Sequence, residues 1–77
     1  MTDLRTRIED EREIDLARYQ EDGFDSRVAY IESKAQDCDV TLEQFWSVAD
    51  MYGPEEDFDG LVLFVEDHGP ELAGMFA

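Results

Sequence analysis

The stretch Val40–Pro54, VTLEQFWSVADMYGP, leaves its backbone little choice. Thr41 precedes an apolar-periodic run and Gln44 follows three residues later, the pattern of a reciprocal capping box. Val40 and Phe45 occupy the two positions of a hydrophobic staple. Leu42, Phe45, Trp46, Ala49 and Tyr52 share one side of a 3.6-residue period, while Glu43, Ser47 and Asp50 share the other. Gly53 can take the left-handed conformation that ends a helix, and Pro54 blocks its continuation. The segment holds the single Trp and two further aromatics, so the core should assemble around it.

The flanking chain reads as further helices. Residues 2–20 are charge-dense. Leu4, Ile8, Leu16 and Tyr19 fall on one broad face, interrupted by Arg12 and Asp15, with Thr2 or Asp3 as the cap. Glu21-Asp22-Gly23 is a break. Phe24, Val28, Ile31 and Ala35 then step by four, three and four, which predicts a second amphipathic helix capped by Asp22 or Asp25. Asp37-Cys38-Asp39 connects it to the central helix. After Pro54 the acids suit a helix start, and the apolar run Leu61–Val65 fits a buried helix or a short strand. Helix is favoured, because no other segment reads as a strand to pair with it. Gly69-Pro70 is read as a break, followed by a last short turn with Leu72, Met75 and Phe76. The expectation is one small all-α domain over residues 1–77, a compact bundle of about four short helices plus a short C-terminal turn.

Charge narrows the function. The formal net charge is −15, and all six basic residues lie in the first 34 positions. That part carries a net −4; residues 35–77 have eleven acids, no Lys or Arg, and a net −11. Self-repulsion on this scale calls for salt, a cation or a basic partner to offset it. Such a chain will not bind nucleic acid or an anionic membrane directly. No run approaches the roughly 18–20 apolar residues needed to span a bilayer, and the charged N-terminus is not a secretory signal. One cysteine permits no internal disulfide, so a cytoplasmic location is expected.

Catalytic constellations are missing. His68 is the lone histidine and has no nucleophile beside it. Cys38 sits between Asp37 and Asp39, whose charges suppress the thiolate. Ser26, Ser33 and Ser47 lie in no motif, and neither zinc spacing nor a phosphate loop is present. Neither an enzyme activity nor a cofactor is expected.

Two resemblances remain. Residues 55–66, EEDFDGLVLFVE, resemble the calcium loop of the EF-hand family. Asp57 and Asp59 match its third and fifth positions, Gly60 its turn glycine and Glu66 its twelfth. The resemblance implies Glu55, Asp57, Asp59, the Leu61 carbonyl and Glu66 as ligands. Glu55 replaces the usual first Asp, Leu63 offers no oxygen at the ninth position, and no second loop pairs with this one.

The second is of size, charge and helicity. Asp37, Asp39, Glu43, Asp50, Glu55, Glu56, Asp57, Asp59, Glu66 and Asp67 follow one another with no intervening base. Glu43 and Asp50 stand two turns apart, roughly 10 Å along the axis. Duplex DNA carries about one charge per 1.7 Å, so carboxylates on rigid helices can imitate its phosphates. In this the chain is similar to small phage-encoded DNA mimics, which include anti-restriction proteins, anti-CRISPR proteins and uracil-DNA glycosylase inhibitors. That similarity implies an inhibitor that occupies the groove of a basic, nucleic-acid-handling protein in the host cytoplasm, as a monomer or homodimer. A regulatory or homodimeric interaction module, a halophile-type acidic surface and a plain solvated face are the competing readings.

Overall fold

A computed structural model describes residues 3–75. The fold is all-α: α1 Leu4–Asp10, α2 Leu16–Glu21, α3 Arg27–Asp37, α4 Leu42–Tyr52, a 3₁₀ turn Pro54–Glu56 and α5 Gly60–Met75. No strand occurs among the described residues.

Helix α4 forms as its caps dictate. The Thr41 Oγ1 accepts from the Gln44 N–H at 3.2 Å, and the Gln44 side chain accepts from the Thr41 N–H at 3.0 Å. Gly53 ends the helix at φ 88°, a conformation costly for any residue with a Cβ. Phe45, Trp46 and Ala49 are buried as their spacing requires, but Tyr52 is 41% exposed. It stands in the last turn, on the open cleft between α4 and α5.

The first segment is two helices rather than one. Arg12 reaches forward and donates from Nη1 to the Ile14 carbonyl at 2.8 Å, which takes that acceptor out of a helical ladder. A continuous helix would hold Ile8 and Tyr19 about 16 Å apart along its axis. The break brings both onto one centre, the Arg27–Asp57 pair, through the Ile8 carbonyl and the Tyr19 hydroxyl. Asp3 precedes α1, yet its side chain makes no cap bond; Thr2 lies outside the described residues.

Helix α3 starts later than its apolar spacing suggested. Ser26 is the cap, accepting from the Ala29 N–H at 3.1 Å, in place of Asp22 or Asp25. Phe24 belongs to the connection. There Gly23 (φ 92°) ends α2, with the Phe24 N–H donating to the Tyr19 carbonyl at 2.9 Å and the Gly23 N–H to Gln20 at 3.0 Å. This is a Schellman stop. Helix α3 ends in the same way: Asp39 takes φ 61°, the Val40 N–H donates to Ala35 at 3.1 Å and the Asp39 N–H to Gln36 at 3.1 Å. Asp37-Cys38-Asp39 is therefore a helix terminator as well as a connector.

The expected break at Gly69-Pro70 does not occur, and the C-terminal turn is the continuation of α5. Proline disfavours a helical predecessor through clashes with that residue's N–H and Cβ, and Gly69 lacks the second of these. Gly69 is buried, and a Cβ there would stand 3.2 Å from the Cys38 Sγ. Pro70 faces solvent, so the Glu66 carbonyl that loses its helical donor lies under an exposed residue. The run Leu61–Val65 is helical; Leu61 is buried, and Val62, Phe64 and Val65 are half-buried.

The core gathers Ile8, Tyr19, Ile31, Phe45, Trp46, Leu61 and Leu72 around a buried ion pair. Arg27 and Asp57 both have no exposed side-chain surface. Arg27 Nε donates to Asp57 Oδ2 at 2.7 Å and Nη2 to Oδ1 at 3.1 Å, a bidentate fork. Nη1 donates to the Ile8 carbonyl at 3.0 Å. The Tyr19 hydroxyl donates to Asp57 Oδ2 at 2.6 Å, and the Tyr30 hydroxyl to the Asp57 carbonyl at 2.6 Å. The guanidinium carbon lies 5.1 Å from the Trp46 ring centroid, within cation–π range. Burial, with the Asp57 carboxylate second, pushes both phenols up and keeps them neutral donors.

Two stability tests follow from this packing. Removing one partner of a buried pair strands the other, so Asp57→Leu or Arg27→Met should each cost about 3–5 kcal/mol in urea unfolding. The double variant Arg27→Met/Asp57→Leu should be more stable than Asp57→Leu alone. Pro70→Ala restores a helical donor against a smaller loss of chain stiffness, so it should stabilise by about 2 kcal/mol.

Candidate interaction surface

The ten acids singled out by charge do not share one environment. Asp37, Asp39, Glu43, Asp50, Glu55, Asp59, Glu66 and Asp67 are exposed. Glu56 is half-buried and accepts from the Gly60 N–H at 3.0 Å, where it tethers the start of α5. Asp57 is a core residue and is no part of any surface.

The calcium-loop ligands do not converge. Both carboxylate oxygens of Asp57 are held by Arg27 and Tyr19, and Leu61 and Glu66 lie inside α5 rather than in a loop. No group of three or more His, Cys, Asp or Glu side chains suited to a metal forms among the described residues. Gly60, the turn glycine of the resemblance, is the first residue of a helix. A Cβ on it would meet the Tyr52 ring at 3.0 Å and the Glu56 carboxylate at 3.1 Å, so close packing is what asks for glycine here.

The arginines are occupied. Arg7 pairs with Glu11 at 2.6 Å, Arg12 with Glu9 at 3.5 Å and Arg18 with Asp22 at 3.1 Å; Arg5 pairs with Glu32, and Arg27 is the core pair. Lys34 lies over the Tyr30 ring, 5.2 Å from its centroid. Apart from Asp57, no acid of residues 35–75 has a Lys or Arg within ion-pair distance among the described residues. Glu71 has only His68, at 3.8 Å. Asp50 is the acid of α4 that senses a base: the pKa of Arg7 is raised first by its bond to Glu11 and, more weakly, by the Asp50 charge.

Folding adds one acid that the charge pattern did not single out. Glu13, in the α1–α2 connection, meets Glu55 from the 3₁₀ turn. Sharing a hydrogen bond with Glu55, followed by desolvation and the Glu55 charge, raises the Glu13 pKa. These residues are 42 positions apart, and no local signal links them.

The surface has an apolar sector as well. Met51 is 85% exposed and Met75 72% exposed. They line an open cleft of about 300 Å³ between α4 and α5 with Val48, Tyr52 and Phe64. Phe64 lies 6.0 Å from the Tyr52 ring and 5.6 Å from His68, centroid to centroid. Met75 is the last residue of α5, and Phe76 lies outside the described residues. Cys38 is buried beneath Gly69, and burial, then Asp37, pushes its thiol up, away from nucleophilic use. No helix of the described residues is long and apolar enough to cross a membrane.

The Glu13–Glu55 contact sets a pH test. An acid whose folded pKa is raised favours the folded state when protonated, and that contribution is lost as pH rises through the folded value. Glu55→Gln should therefore raise the thermal midpoint near neutral pH. The gain should shrink below the ordinary carboxyl value of 4.5, where wild-type Glu13 is already protonated. Parallel melts of the two proteins across acid pH measure it.

Comparison with protein-family models, curated proteins and solved structures gives no match, and the surface is read from its own chemistry.

Proposed function

We propose that the protein is a stoichiometric inhibitor that binds a basic, nucleic-acid-handling partner by presenting carboxylates where DNA or RNA phosphates would lie. One observation carries the reading. The arginines are all consumed by ion pairs, while the exposed acids of residues 35–75 are left without Lys or Arg partners. A solvated, charge-balanced surface would spread its bases among its acids. Here the negative field over α4, the 3₁₀ turn and α5 has no Lys or Arg ion-pair partner, and Arg7 offsets it weakly at Asp50. Glu43 and Asp50 stand on one side of a capped helix, so their spacing is fixed before binding. Association of this kind is fast and weakens with salt.

Asp57 plays no part in such binding, so the test leaves it intact. In the variant Glu43→Gln/Asp50→Asn/Glu55→Gln/Asp59→Asn every altered side chain is exposed, and the fold should be kept or become more stable. Immobilised wild-type protein in a bacterial lysate should retain a nucleic-acid enzyme that duplex DNA or high salt elutes, and the variant should lose it. Equal capture by both proteins, or capture indifferent to DNA and salt, refutes mimicry.

A further inference from the structure

The cleft between α4 and α5 is a second feature, which shares Glu56 and Asp67 with the acids singled out by charge. Its floor is apolar: Val48, Met51, Tyr52, Phe64 and Met75. Its α5 wall is not. Asp67, His68 and Glu71 recur at helical spacing with Phe64 and Met75, so two carboxylates and an imidazole border the apolar side chains. Glu56 stands at the Tyr52 end, beside Gly60. Neither lining helix contains a Lys or Arg.

We propose that this cleft is a docking groove for a basic amphipathic helix of a partner protein, which inserts an apolar anchor between Met51 and Phe64 and sets Lys or Arg against the acidic border. Three features select that occupant. The groove lies between two helices and offers no strand edge, so an incoming helix is the element that fits. A volume of about 300 Å³ accepts one or two large side chains. Methionines on both walls can repack around anchors of differing shape. A second copy of this chain suits the border poorly: it carries a net charge of −15, and its arginines are already engaged. The proposal does not depend on nucleic-acid mimicry, because the residues it uses are not those of the inhibitor test.

Two synthetic amphipathic helices decide it, one of leucine and lysine and one of leucine and glutamate, titrated calorimetrically into the intact protein. The leucine–lysine helix should bind with one-to-one stoichiometry and the leucine–glutamate helix should not. Met51→Glu separates docking from plain charge attraction, since it adds a negative charge while spoiling the apolar seat. Docking predicts at least a tenfold loss of affinity for the leucine–lysine helix; charge attraction alone predicts a gain. Met51 is 85% exposed, so the variant should fold, and Met75→Glu provides an independent repeat. Three results overturn the proposal: unchanged or tighter binding by both variants, equal binding of both peptides, or a wild-type dimer in sedimentation that Met51→Glu dissociates.

Discussion

The bidentate contact between Arg27 and Asp57 holds elements that would otherwise have little reason to meet. Through it and its neighbours the Ile8 carbonyl of α1, Tyr19 of α2, Tyr30 of α3, Trp46 of α4 and the turn before α5 are arranged about one ion pair. Two charges removed from water are costly unless every donor and acceptor finds a partner. Here the fork and the Ile8 carbonyl engage all three guanidinium nitrogens, and the Tyr19 hydroxyl adds a second bond to Asp57 Oδ2. A small chain has few apolar residues with which to specify one arrangement of short helices, and a buried polar centre rejects arrangements that leave any of its members unpaired.

That centre also shapes the surface. It withdraws one arginine and one aspartate from solvent together, so it leaves the net charge unchanged and moves the last free guanidinium inward. The remaining arginines are tied to neighbouring acids, mostly one helical turn away. What faces solvent over α4 and α5 is carboxylate without counter-charge, and between those helices a methionine-lined cleft. A field of one sign and an apolar seat lie side by side, the combination that suits a basic partner with hydrophobic anchors.

Helices whose signals are local were legible in the sequence. The capping box of α4 depends on residues three apart, and Gly23 and Gly53 declare their turns by what they lack. The division of the first helix was half-visible, since Arg12 and Asp15 interrupt its apolar face, but nothing local indicated that Arg12 would claim the Ile14 carbonyl. Gly69-Pro70 misled because proline is read as a stop, whereas a glycine before it removes the Cβ part of the steric objection and lets α5 pack closely on Cys38.

The candidate surface divides along the same line. Composition and order alone determined that residues 35–77 would be acidic and unrelieved by any base, and that the chain would be helical around Trp46. Tertiary structure decided which of those acids face solvent. It buried Asp57 thirty positions away from its arginine, brought Glu13 against Glu55, and opened the cleft between Met51 and Phe64. Local periodicity reports which face of a helix is apolar, but not how completely a neighbouring helix will cover it. A carboxylate in the sequence is likewise indifferent between solvent and a guanidinium until folding supplies one.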